Sequence, residues 1–370
     1  FTAGVLDDAE LAAADAHAPE PAALARLEGA WDFAQRMDGD VAIDLTPHAR
    51  HGRFHQLPTR AVRGADWSGE VHDPRQRPHE YAAVHFHEDD LHDAGWETDF
   101  ELRVPEALAS GVYAVELECA GDRSYVSFFV RPPRGATRAP VAFLASTATY
   151  LSYANYRFPL DAALSSSQLG YPVVLEPEHV HHQRHPELGL SHYDRHRDGS
   201  GVHYATRRRP VLNHGPCTDV WNLNADTHLL AWLAHLGQPV DVLTDEDLDA
   251  EGAALLAGYR SVLTGSHPEY WSTRMWCGLE DYLDGGGRLM YLGGNGFYWR
   301  VAYHPAFPGV LELRRGQLGA RYWSDEPGEE HLGFTGEPGG LWRALGRPPE
   351  ALVGVGTRAI GFEASAPYRR

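Results

Sequence analysis

The sequence predicts an α/β domain built on a parallel sheet, preceded by a small antiparallel β-sandwich. Two observations carry this. From Asp226 onward, strand-like and helix-like stretches alternate, the pattern of βαβ units. Before that, residues 46–135 hold short alternating runs bounded by turn residues, the pattern of antiparallel pairing. At 370 residues the chain is long enough for two or three domains. The expected division is 1–45, the tail of an N-terminal β domain; 46–135, the sandwich; and 136–370, the α/β domain.

Composition bounds the function. With 43% hydrophobic and 22% charged residues, the chain can bury a sizeable core. A net charge of -19 argues against nucleic acid or an anionic membrane as a main partner. No run approaches the roughly 18 apolar residues of a membrane span. Cys119, Cys217 and Cys277 are odd in number and widely spaced, so neither a disulfide framework nor a cysteine zinc site is expected. A reducing, cytoplasmic setting fits. The chain opens on Phe1 and stops at Arg370 without a closing element, so both ends read as incomplete, and a removed signal peptide is compatible with that.

In order, residues 7–14 suit a short helix, and Val41-Ala42-Ile43-Asp44-Leu45 alternates as a strand. Residues 81–87 and 97–104 alternate too. Residues 111–118 and 124–130 form a hairpin around Ala120-Gly121-Asp122. His85-Phe86-His87-Glu88-Asp89-Asp90-Leu91-His92-Asp93 offers ligand types for zinc or calcium. No spacing there matches a known metal loop, so it reads as a solvated polar loop. Arg131-Pro132-Pro133-Arg134-Gly135 is a linker. Residues 141–145 are a buried strand that runs into a polar and aromatic cluster at 146–156.

Residues 176–210 are irregular and crowded with His179, His181, His182, His185, His192, His196 and His203. Such a tract can bind metal; for most of these histidines a surface excursion wrapping the site is the preferred reading. Regular alternation follows: helix 227–236, strand 240–243, helix 245–259, strand 261–265, helix 272–283 and a buried strand 288–292. Met275, Leu279, Tyr282 and Leu283 share one face of the last helix, and Gly285-Gly286-Gly287 stops it. Residues 302–370 read as a turn-rich tail.

Two polar clusters leave the C-terminal ends of successive strands, Ser266-His267-Pro268-Glu269 and Gly294-Asn295-Gly296. In an open α/β sheet, that edge is where ligands and chemistry sit. His267, Glu269 and Asn295 are therefore expected in one active site. No glycine-rich phosphate loop follows any strand. Gly265-Ser266-His267-Pro268-Glu269 lacks the spacing and second glycine of a nucleophile elbow, and Cys277 falls mid-helix, where packing is its expected role. Hard oxygen donors, carboxylate and phenolate, suit iron. Equally, Glu269 in a helix first turn stabilises the dipole by about 0.3–1 kcal/mol with no catalytic part. The residues alone leave both open.

The chain resembles the large-subunit family of N,N-dimethylformamidase, mononuclear iron amide hydrolases. The matching stretches are Leu57-Pro58-Thr59-Arg60-Ala61-Val62-Arg63-Gly64, Ala83-Val84-His85-Phe86-His87-Glu88-Asp89-Asp90-Leu91, Ala94-Gly95-Trp96-Glu97-Thr98-Asp99-Phe100, Thr244-Asp245-Glu246-Asp247-Leu248 and Leu263-Thr264-Gly265-Ser266-His267-Pro268-Glu269-Tyr270-Trp271, followed by Gly293-Gly294-Asn295-Gly296. It implies a glutamine-amidotransferase-like α/β domain with a lectin-like β domain in front, of which 1–45 is the tail. It also implies one ferric ion held by two tyrosinates and a glutamate. The glutamate falls on Glu269. The first tyrosine falls on Tyr153, in Thr149-Tyr150-Leu151-Ser152-Tyr153-Ala154-Asn155, with Tyr150 or Tyr156 as fallback. The second falls on Tyr193 in Ser191-His192-Tyr193-Asp194-Arg195. His267 and Asn295 would then orient substrate or stabilise an oxyanion.

The implied reaction is hydrolysis of a small N-substituted amide, with a small subunit and homo-oligomer as partners. Two other readings stand beside it. One is a non-catalytic carbohydrate- or partner-binding relative, favoured by the departures around Tyr153. The other is a zinc hydrolase using His182, His185 or His192.

Overall fold

The computed structural model describes residues 2–3, 21–157, 175, 177–216 and 221–357. The helix expected at 7–14 and Cys217 lie outside these residues. Among the described residues, no helix is long and apolar enough to cross a membrane.

The α/β part is organised by a four-stranded parallel sheet. Its order is Asp241–Thr244, Val141–Ala145, Ser261–Thr264, Leu289–Met290. Val141–Ala145 is first in sequence yet central in space, and it is the most continuously apolar, as a strand buried on both faces must be. The chain adds its second strand on one side of it and its third on the other. The topological switch therefore lies between Val141–Ala145 and Ser261–Thr264, and a crevice opens there at the carboxyl ends.

Most expected elements are present, with adjustments that have physical causes. The helix expected at 245–259 is broken into Asp245–Glu251 and Ala253–Leu256. Gly252, with φ of 59°, turns the chain between them. Helix Thr273–Asp284 is capped by Ser272, whose hydroxyl accepts from the Met275 amide, and it buries Met275, Trp276, Leu279 and Tyr282. The strand expected at 288–292 is not a buried one. It shrinks to Leu289–Met290 at the sheet edge, where Met290 is exposed.

The described part of the expected tail contributes strands to a second sheet. Tyr204–Thr206, Val310–Leu313, Trp299–Tyr303 and Tyr270–Trp271 pair in that order, and Gly340–Leu341 also joins Trp299–Tyr303. Val310–Leu313 is buried throughout, so it shows no alternation, and it carries a charge in its middle. Glu312 is paired with Arg314 at 3.0 Å, both side chains fully buried. Its carboxylate also accepts from the Gly333 and Phe334 amides. Its strand Tyr270–Trp271 begins one residue after Glu269, and Trp299 of the neighbouring strand donates to the Glu269 carboxylate, so this sheet lies against the crevice opened by the first.

The antiparallel part is present as several small sheets. It consists of a sheet holding Gly29–Asp32, Val41–Asp44 and Gly52–Arg53, a pair of Thr59–Val62 with Ala83–His85, and a hairpin of Gly111–Cys119 with Asp122–Val130. The strand expected at 97–104 does not form, and Phe100, Leu102 and Val104 face solvent. The base of the hairpin packs on the parallel sheet. Val112 and Phe129 join the cluster of Phe143, Val242 and Leu263, and the Val242 amide donates to Ser110 Oγ at 2.7 Å.

Candidate functional site: oxygen donors at the switch point

Tyr153 caps helix Thr147–Ser152, which follows the central strand directly. The helix is fixed by the Ala148 amide, which donates to the buried Asp245 carboxylate at 3.0 Å. Asn155 then turns the chain in the left-handed region at φ of 59°, held by its amide to Pro210 O and by the Leu212 amide.

Glu269 ends the loop that leaves Ser261–Thr264. Gly265 starts that loop where only glycine fits: an added Cβ would lie 2.0 Å from Asp226 Oδ2. Asp226 accepts from the Ser266 amide and from the Tyr150 hydroxyl. Thus Tyr150, the fallback for Tyr153, points to Asp226 and away from Glu269. The Glu269 amide donates to Thr149 Oγ1 at 3.0 Å, pinning the loop to the preceding helix. Gly293 is pressed so closely on Ser266 that a Cβ would meet its carbonyl at 1.9 Å. That contact carries Asn295 to the same point.

The oxygens converge. The Tyr193 hydroxyl donates to Tyr153 Oη at 2.5 Å, and Tyr153 donates to Glu269 Oε2 at 3.0 Å. Tyr193 Oη is also 3.3 Å from Glu269 Oε2. Tyr270 donates to Tyr193 at 2.8 Å. Glu269 Oε1 accepts from Asn295 Nδ2 at 2.8 Å and Trp299 Nε1 at 3.1 Å. His267 Nε2 lies 3.2 Å from Glu269 Oε2 and against Asn295 Oδ1, while its Nδ1 is buried and without a hydrogen-bond partner. The five residues expected from sequence, Tyr153, Tyr193, Glu269, His267 and Asn295, meet at one place.

Electrostatics set what can enter. Glu269 is 3% exposed. Burial first, and then the Glu269 charge, push the Tyr153 and Tyr193 phenols well above their ordinary pKa. A buried cation, Arg315, stacks its guanidinium over the Tyr193 ring at 4.7 Å and the Trp299 ring at 5.0 Å. Three oxygens therefore sit within 2.5–3.3 Å of one another. Ligands at right angles around a hard ion with bonds near 2.1 Å are roughly 3 Å apart. The donor set fits such an ion, which would take the place of the phenol protons. Trp221 and Tyr322 set their edges against Tyr153 and Tyr193, with Trp221 also against His267.

The histidines proposed for a zinc alternative do not assemble. His182 Nε2 faces Gly189 O, His185 pairs with Glu187, and His192 Nδ1 faces Ser152 Oγ. Each has a local partner and no carboxylate is shared. Sequence reasoning missed Tyr270, Trp299 and Arg315. Tyr270 adjoins Glu269 and was within reach, but Trp299 opens a strand that is buried without alternation, and Arg315 lies in the loop just after Val310–Leu313.

A buried set of phenol and carboxylate oxygens at an α/β switch point belongs to the class of centres that can hold a hard cation. The comparisons with known proteins narrow this. The chain belongs to the N,N-dimethylformamidase β-subunit-like family: the model of that family's C-terminal region matches residues 59–370. It is 41% identical over 346 residues to the N,N-dimethylformamidase beta subunit of Alcaligenes sp, and 40% identical over 346 residues to that of Paracoccus aminophilus. Each match covers 90% of this chain and 45% of the relative, so the chain spans a little under half the length of these relatives.

Proposed function

We propose that this chain carries the iron centre of an amide hydrolase acting on a small N-substituted amide such as a formamide. The convergence of Tyr153, Tyr193 and Glu269 oxygens at the switch point is the observation that supports it. These three residues would hold the ion. Bound there, ferric iron would polarise an amide carbonyl or lower the pKa of a water.

The chain's own residues supply the rest. Asn295 is oriented by its bond to Glu269, and His267 by Asn295. His267 Nε2 faces Glu269 and Asn295, a position from which it would orient substrate or stabilise an oxyanion. Trp221 and Tyr322 line the opening with apolar surface for N-methyl groups and exclude bulk water. Arg315 offsets the negative charge gathered at the donors. The relatives are named as beta subunits, and we extend the implied association with a further subunit to this chain.

Elemental analysis with a visible spectrum tests this reading. The expected result is near-stoichiometric iron with a phenolate-to-iron charge-transfer band. The band should weaken in Tyr153→Phe and Tyr193→Phe, and iron should be lost in Glu269→Gln. A colourless, iron-free protein, or full iron retention in all three variants, overturns it.

A further inference from the structure

We infer that His85, His87 and Asp198 form a second cation site, for a divalent transition metal of the zinc type, which ties segment 191–201 to strand Ala83–His85. From sequence alone, residues 85–93 read as a solvated polar loop. The structure folds them against Asp198, 113 residues away in the chain.

The geometry is that of a ligand set. His85 and His87 are two apart at a strand end, so both rings project to one side. Asp198 sits in a turn closed by the Arg195 to Gly201 bridge and by the His196 amide on Ser200 O. One ligand atom from each of the three lies within 4.8 Å of the other two. Asp198 Oδ2 is 2.7 Å from His85 Nε2 and 3.9 Å from His87 Nε2. Tetrahedral ligands at about 2.0–2.1 Å from zinc are roughly 3.3 Å apart, between these two separations. The side chain of His87 is 3% exposed, and those of His85 and Asp198 are 41% and 47% exposed. The site is thus closed on its inner side and open to water on the other, where remaining coordination positions would be filled.

The surrounding hydrogen bonds prepare His87 as a ligand. Its Nδ1 lies 3.0 Å from Asp90 Oδ1, and its own amide donates to Asp90 Oδ2 at 2.9 Å. A carboxylate fixed on Nδ1 draws the ring proton there and leaves Nε2 as a lone pair, the arrangement that orients metal-bound imidazoles. Ser200 Oγ lies 2.6 Å from Asp198 Oδ1 and 3.0 Å from His87 Nε2. It has one proton for two acceptors. A cation on Nε2 and Oδ2 resolves the count, with Ser200 donating to Asp198 alone. His196 stacks on His87 at 3.6 Å, with its own Nδ1 on Asp89 at 2.6 Å. That stack holds the ring plane. Every donor here is distinct from the oxygens around Glu269, so the inference does not depend on the iron reading.

Cobalt(II), a coloured zinc substitute, tests it. Chelator-stripped protein carrying Glu269→Gln, which removes the oxygen-donor centre, is titrated with cobalt alone. One equivalent should bind with visible d–d bands. Affinity should fall at least about 100-fold in His85→Ala and Asp198→Asn, and about 10–100-fold in Asp90→Asn. His85 and Asp198 are exposed enough that folding should survive, which far-ultraviolet circular dichroism checks. Chelator should also lower the melting temperature of the otherwise native protein but not of His85→Ala. No cobalt binding, or a loss below tenfold in both His85→Ala and Asp198→Asn, overturns the site. The charge-transfer band of the iron reading is read separately and should not move in His85→Ala.

Discussion

Five residues apart on one segment, Tyr193 and Asp198 serve two clusters built on opposite plans. Around Tyr193 the donors are oxygens, Glu269 is 3% exposed, and the walls are Trp299, Tyr270 and Arg315. Around Asp198 two of the three ligand residues are histidines and one side is wet. Burial explains the contrast. A dry pocket keeps phenols protonated unless a highly charged ion displaces the protons, so it selects for a strong Lewis acid. A half-open pocket of imidazole nitrogens and one carboxylate offers donors of the kind that suit a borderline divalent ion. On the two proposals made above, one segment would carry donors for two kinds of cation without mixing them.

The largest expected break in the comparison comes from Glu269→Ala. It removes the residue that Tyr153, Asn295, His267 and Trp299 all contact, and should lower amide hydrolysis by about 10³-fold or more, measured as amine release. Asn295→Ala should lower kcat by about 100-fold while iron content stays near wild type, because it removes a positioning group and leaves the ion's donors in place. Equal loss of iron would mean that Asn295 holds the site itself together. His85→Ala should change amide hydrolysis by less than about tenfold, since it touches only the outer cluster. A larger drop would show that the position of Tyr193 depends on that cluster.

The smallest effect is one of pH. Burial lowers His182, His214 and His304 to about 4. The unfolded chain takes these protons near 6.5 and the folded chain only near 4. Their stabilisation is therefore complete above about pH 6.5 and is lost as pH falls toward 4. The melting temperature should drop by several degrees between pH 7 and 5, followed by circular dichroism, and His182→Gln should flatten part of that slope.

The sequence made the parallel sheet legible because Val141–Ala145 and Ser261–Thr264 are apolar runs with helices at fixed offsets. Glu269 and Asn295 were legible because strand ends in such sheets face ligands. Tyr153 and Tyr193 were placed only by family resemblance: no spacing links residues 40 apart, and the geometry alone brings their hydroxyls together. The second sheet was missed because Val310–Leu313 is buried on both faces and holds a paired glutamate, which breaks both periodicity and polarity rules. The partner of His85 and His87 was missed for a related reason. Local pattern shows two ligands, and the third, Asp198, arrives from a distant turn.

The failure of residues 97–104 to become a strand has a practical side. Trp96 at 70% exposure, Phe100, Leu102 and Val104 present an apolar ribbon to solvent in the folded state. An environment-sensitive dye would bind that ribbon before any heating, so a fluorescence melting curve would begin from a high baseline and understate the transition. A dye-free readout is what this surface dictates to anyone who handles it.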